Sequence, residues 1–420
     1  MTVVAATMSA ISSPTPAATP TNIPTLAPTP TLTPEPTTLR VVYSRAGEIW
    51  IWNQGGQPLK LSNTGIDVQP RISSDGKIVV FARNNELYAI NPDGSGLRKI
   101  VSKEYLSEYR PANHKWIWAD CYEWMLDTHI LYFTTMIQLA DEGVPLYQFD
   151  LHRVNVDTGE VSIVLSAGEG GIPYFSPNGQ SLAVARPDSI SIANVDGSDW
   201  RNALSFEQVV GSDNWTFIPV LVPLPDGSGF RLVVPAHDSL SDPDELSEFW
   251  HIPLHEESEL LYTFQIASGI PYKTLSPSGN SIVFSKRDPN GSYILCVYHY
   301  DTVQETCVPK PGPEELFTSN WALDDSKYNF ETLGWVLDNN GSSVYDATYY
   351  ISAVARPNEA PVEIDAYVWL AWVNPDQYLY IDEEWNLQLA TFGGSTNLIH
   401  NGVKNQTSID GMLPFDFSTR

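Results

Sequence analysis

Three groups of side chains in this 420-residue chain have types and spacings that could do chemistry. Asp242, Asp244, Glu245 and Glu248 crowd oxygen ligands into one short segment, which suits Ca²⁺ but lacks the EF-hand spacing and its glycine. His251 and His255 stand four apart beside it; with no further ligands near them they read as ordinary strand residues, and no metal centre is assigned. Cys296 and Cys307 flank a turn near Asp301–Gln304, so they lie on the two arms of one hairpin. Two readings of them stand open: a disulfide, which fits an oxidising compartment, or two buried thiols facing different ways. Cys121 reads as a core residue. There is no G-x-S-x-G elbow, no H-E-x-x-H, no Walker loop and no G-x-G-x-x-G, so no catalytic residue is nominated and no cofactor is expected.

A second pattern concerns binding. Acidic and aromatic residues punctuate the same regions: Tyr105, Tyr109, Trp116, Asp141, Glu142, Asp242, Asp244, Glu245, Phe317, Trp321, Glu383 and Trp385. Carboxylates beside flat apolar rings suit a glycan, a cationic peptide or Ca²⁺-assisted contact. The plainer reading is a solvated acidic rim with the aromatics in the core. With 50 acidic against 23 basic residues the net charge is −27. That argues against nucleic acid and anionic membrane, which need clustered Lys and Arg. No apolar run approaches the ~18 residues of a membrane span, so no insertion is expected.

The elements that must position these residues are short and β-like. In Arg71–Ile100, the runs Ile78–Ala82, Glu86–Ile90 and Leu97–Ile100 have strand length and composition. Turn chemistry separates them at Ser74-Asp75-Gly76 and Asn91–Gly96. With Val68–Ile72 in front, this makes four antiparallel strands, a sheet that cannot bury both faces alone and so needs neighbours. The first turn recurs at Asp127, Asn178, Asp226, Ser278, Asn340 and Asp376, in steps of 52, 51, 48, 52, 62 and 36 residues. Val41–Ser44, Glu48–Trp52 and Pro58–Leu61 read as an eighth unit lacking its first strand. The tail 408–418 has the lead-in pattern of the other units and is expected to supply it.

The segments SSDGKIVVFA, SPNGQSLAVA and SPSGNSIVFS, each followed by a strand and a polar turn, resemble TolB-type β-propeller repeats over residues 40–420. The resemblance implies an all-β fold: a single β-propeller of four-stranded antiparallel blades, eight in number with seven as the alternative. It implies little about activity, since such propellers serve as scaffolds, binding domains and appendages of peptidases. The α/β domain that precedes the propeller in TolB has no counterpart here, so TolB's own role does not transfer.

Residues 1–39 differ in kind. Pro alternates with Thr and Ala over 14–36, which predicts a disordered, extended stalk or linker reaching roughly 70 Å at ~3.1 Å per residue. No export signal is visible, yet the stalk suggests an extracellular or cell-surface location. Lys103–Lys115, Met136–Leu146, Ala236–Glu248 and Pro309–Phe330 read as insertions on one face of the ring, the top; with Asp382–Glu384 they carry a net charge of −11. Insertions confined to one face mark a binding face. The expected function is therefore a non-catalytic, surface-displayed, monomeric binding module for a protein or glycan. The alternatives are a glycan-acting lyase or hydrolase, the accessory propeller of a peptidase, and a scaffold of a cell-envelope assembly.

Overall fold

A computed structural model describes residues 38–140, 143–210, 216–236, 246–265, 274–290, 293–309, 316–332, 335–337, 343–345, 352–366, 368–403 and 414–419. The residues 1–37 of the expected stalk lie outside this set. The fold is an eight-bladed β-propeller of antiparallel sheets, with one short helix, Lys103–Tyr109, among the described residues. Blade two is representative, its strands running from inner to outer as Asp67–Ile72, Val79–Arg83, Glu86–Ile90 and Arg98–Val101. The inner strands of blades three, four, five, seven and eight are Trp116–Trp124, Ile172–Phe175, Val222–Pro223, Leu316–Trp321 and Val368–Trp372. In blade six, Leu275 holds the inner position by bridging Ile282. Blade one takes its inner strand from the tail. Phe415–Ser418 pairs antiparallel with Arg40–Arg45, setting Tyr43 opposite Phe415 and Arg40 opposite Ser418.

The alternation of these strands matches burial on both sheet faces. Among the described residues the buried apolar side chains form eight clusters, one at each contact between neighbouring blades. Val79, Phe81 and Ile90 of blade two pack on Val42, Ile49 and Ile51 of blade one, while Val80, Leu87 and Ala89 face blade three. Removing these faces from water, at about 25 cal/mol per Å² of apolar area, is what holds each blade to the next.

The turn between the first and second strands has one construction. In blade two, Ser73 N–H donates to Ile78 O at 2.9 Å and Gly76 N–H to Ser73 O at 2.8 Å. Blades four, five and six repeat both bonds, with Gly179, Gly227 and Gly279 at the equivalent place, all at positive φ like Gly76. The blade-seven turn expected at Asn340 is a misassignment. Ala322 N–H donates to Lys327 O and Asp325 N–H to Ala322 O, so the turn lies at Asp324-Asp325. Asp325 occupies the glycine slot at φ 60°. Counted through Asp324, the last two steps become 46 and 52 residues instead of 62 and 36. The hairpin Trp335–Leu337 with Ser343–Tyr345 is an insertion between the second and third strands of blade seven. It follows that Pro309–Phe330 is not a loop between blades, since it contains the inner strand and this turn.

Cys296 and Cys307 stand directly opposite each other on adjacent strands of blade six and are joined as a disulfide. Among the described residues no helix is long and apolar enough to cross a membrane.

Candidate functional site

Each inner strand runs from the top face, where blades connect, to the bottom, where the first-to-second-strand turns lie. The residues nominated from sequence scatter over this frame. Tyr105 and Tyr109 are on the helix between blades two and three, at the top. Tyr105 is committed to the structure: its hydroxyl meets His152 Nδ1 at 2.8 Å, and His152 Nε2 lies 3.1 Å from Asp150 Oδ2. Thr134 and Thr135 donate to the same buried Asp150, so the chain of bonds pins the helix to blade three. Burial, then Tyr109 and Asp150, push the Tyr105 phenol far above its ordinary range, so it is no base.

Trp116 begins the inner strand of blade three with 41% of its surface exposed and Lys115 over its ring at 5.4 Å. Glu383 is exposed on the top loop between Ile381 and Leu387; Trp385 is half-buried there. Trp321 does not belong to this face. It is 5% exposed, its ring lies tilted 5.0 Å from that of Tyr328, and its Nε1–H donates to Thr274 O at 3.0 Å beside the bottom turn. Phe317 lies on the inner strand of blade seven, with its side chain outside the described part. Asp141, Glu142, Asp242, Asp244 and Glu245 lie outside the described residues. Asp324 and Asp325, counted with the top-face charge, belong to a bottom turn.

The strand register reveals a site that the sequence reading passed over. Asp416, Arg71, Glu123 and Tyr174 hold the same place on the inner strands of blades one to four, opposite Val42, Val80, Tyr132 and Ala183. Val222, Thr274, Asn320 and Ala371 continue the belt through blades five to eight. The next residue along each of six strands is buried: Ile72, Trp124, Phe175, Leu275, Trp321 and Trp372. The belt residues keep surface on the channel, with Glu123 exposed and Thr274 the most covered. One half of the belt is thus charged or phenolic and the other half neutral. A simple signal would have found it: from blade two to blade seven these residues stand four before the turn residues Asp75, Asp127, Asn178, Asp226, Ser278 and Asp324.

Bulges set the charged half. The pairing shifts between Val68 and Arg71 and between Asp120 and Glu123. Within those shifts Gln69 and Cys121 adopt φ 53° and 44°, in the left-handed region that non-glycine residues seldom occupy. The Tyr122 hydroxyl donates to Gln69 O, tying the two bulges together. Cys121 Sγ lies 3.3 Å from Tyr147 Oη.

The electrostatics follow from depth. Burial works to lower the Arg71 pKa, but Asp416 and Glu123 outweigh it and hold the guanidinium charged. Burial raises Asp416 above the ordinary carboxylate range despite Arg71 and the backbone bonds from Ile72 and Phe417. Burial also pushes the Tyr122 and Tyr174 phenols far up. Ile72 N–H donates to Asp416 Oδ2 at 2.8 Å. Among the described residues the one hydrogen bond of the Arg71 side chain is Nη1–H to Pro70 O at 3.4 Å, and no carboxylate lies within 4.0 Å of it.

No protein-family model matches the chain, and no curated protein does. Several solved structures are similar. A eukaryotic initiation factor shares 9% identity over 87% of this chain and 85% of that one, with a TM-score of 0.50. An oligogalacturonate lyase in complex with manganese shares 14% over 74% and 83%, with a TM-score of 0.46. TolB from Acinetobacter baumannii shares 13% over 66% and 64%, with a TM-score of 0.31. At such identities the likeness extends to the fold alone.

Proposed function

We propose that this chain is a non-catalytic propeller module of the TolB-repeat type, displayed outside the cytoplasm, that binds a protein or glycan through its top face and channel mouth. The observation that carries the reading is the difference between the two faces. The described first-to-second-strand turns at the bottom are tight and closed by backbone hydrogen bonds. The helix Lys103–Tyr109, exposed Trp116 and acidic Glu383 and Glu384 belong to the top. Chain that leaves the tight repeat on one face only is chain free to make a binding surface. The Cys296–Cys307 bond supports an oxidising compartment.

The enzyme reading has less support. A lyase or hydrolase needs a base whose pKa lies near the working pH, and the one phenol of the belt, Tyr174, is held far above it by burial, which leaves Glu123 and Asp416 as the carboxylates such a reading would have to use. The test is a screen of the full chain against neutral and acidic polysaccharides and basic peptides, with a parallel assay for bond cleavage. A ligand so found should bind at least tenfold more weakly to a Trp116→Ala, Glu383→Gln, Glu384→Gln variant. Unchanged affinity would remove the top face from the reading, and released cleavage products would replace it with the enzyme.

A further inference from the structure

The belt carries a narrower conclusion, which rests on the reading of the channel as a place of binding. Around the ring the first three side chains alternate in charge: Asp416, Arg71, Glu123. Such neighbours would ordinarily satisfy one another, yet no carboxylate lies within ion-pair distance of Arg71 among the described residues. Asp416 turns one oxygen to the Ile72 N–H instead. The Tyr122 hydroxyl, the nearest phenol on the same strand as Glu123, is occupied by the Gln69 carbonyl. Arg71 therefore presents to the channel a planar fork with five N–H donors, of which one is used, in a bond of 3.4 Å, among the described residues. A fork of that kind is matched to a carboxylate, which it grips with two parallel hydrogen bonds.

The flanking carboxylates restrict what can bring that anion. A simple anion would meet one positive and two negative charges and gain little. A simple cation would meet Arg71 between its two attractors. A molecule carrying both charges on adjacent atoms meets complementary charge at each. The rest of the belt supplies Tyr174, Val222, Thr274, Asn320 and Ala371, none of them charged, so nothing there calls for a larger polyion. We infer that the channel belt binds a small zwitterion of the α-amino-acid class, its carboxylate on the Arg71 guanidinium and its ammonium group toward Asp416 and Glu123. Burial of Asp416 agrees with this, because a carboxylate that holds its charge at a cost gains most from an arriving cation.

The test is calorimetric titration of the full chain with each of the twenty common α-amino acids, with acetate and methylammonium as the two half-ligands. At least one amino acid should bind tenfold or more tightly than either half-ligand. Arg71→Lys keeps the charge and the stem but loses the fork, and should weaken that binding at least tenfold; its melting curve reports whether it folds. Glu123→Gln should weaken the amino acid while leaving acetate unchanged or tighter. The assignment is overturned if no amino acid binds, if acetate binds as tightly, or if Arg71→Lys and Glu123→Gln both bind as the wild type does. A larger ligand that needs Trp116, in a chain that binds no amino acid, would sink this inference and leave the broader reading of the top face standing.

Discussion

At the scale of single residues, Asp416 shows how position in the ring sets chemistry. It is an ordinary aspartate in sequence, four residues before the last one, in a tail whose lead-in pattern marks it for pairing. In the fold it stands between blades one and two at the channel, half-buried, with a raised pKa caused first by burial. The sign follows directly. A carboxyl whose folded pKa lies above its unfolded value binds its proton more readily in the native state, so stability is gained as pH falls through the folded pKa and reduced above it. Asp416→Asn removes the charge and keeps an oxygen for the Ile72 N–H. The variant should melt above the wild type at pH 7, and the two should converge below about pH 4, where the unfolded carboxyl is also protonated. Thermal melts from pH 3 to 8 measure this. A variant that melts lower at pH 7 would mean that attraction to Arg71 outweighs the burial.

At the scale of an element, the blade-seven turn shows how a repeat can lose its sequence signal. The other strong turns announce themselves by a glycine, which takes positive φ at no steric cost. Here Asp325 takes that conformation, and the sequence signal moves to Asn339-Asn340-Gly341 in an inserted hairpin. The reason for aspartate is visible across the blade boundary. Its carboxylate accepts from Ser276 Oγ at 2.8 Å, from Ser278 N at 3.2 Å and from Ser278 Oγ. The left-handed backbone costs roughly 1 kcal/mol, whereas hydrogen bonds to a charged acceptor contribute about 1.5–3 kcal/mol each. Asp325→Gly should therefore lower stability by about 1–3 kcal/mol even though it eases the backbone. Urea denaturation of the two proteins decides it; a more stable glycine variant would mean the cross-blade bonds contribute little.

For the whole molecule, closure is the controlling fact. The last blade-to-blade cluster joins Val41 and Tyr43 of blade one with Leu379, Leu387 and Leu389 of blade eight, and Phe415 of the tail lies fully buried in it. Ser418 Oγ donates to Ser74 O, and Arg40 Nη1 to Gly76 O at 2.6 Å, so both strands that close the ring also hold blade two. Phe415→Ala should cost about 3–5 kcal/mol by the lost contact and the cavity left behind. A chain ending before residue 414 leaves the edge of Arg40–Arg45 without its partner, and it should self-associate as well as melt lower. Light scattering beside a melt distinguishes the two. A truncated chain that stays monomeric with an unchanged melting temperature would show that the ring does not depend on this strand.

The sequence by itself determined the class of fold, the repeat and the use of the tail, because these are local matters; it left the ring at eight units or seven, and the structure settled on eight. Strand alternation, turn residues and spacing are properties of a few neighbouring positions, and a sheet with two apolar faces must find partners whatever its ring size. Only the tertiary structure decided which chemistry faces the channel. Asp416, Arg71, Glu123 and Tyr174 are far apart along the chain, up to 345 positions between Arg71 and Asp416, and become neighbours only when eight registers are aligned around one axis. The same holds for Trp321, an aromatic that reads as a surface contact until its strand is placed and its ring closes on Tyr328 and Leu295 in the core between blades six and seven. Local pattern fixes which residues alternate; the direction each one faces depends on bulges such as those at Gln69 and Cys121, which shift the register by steps that spacing alone does not reveal.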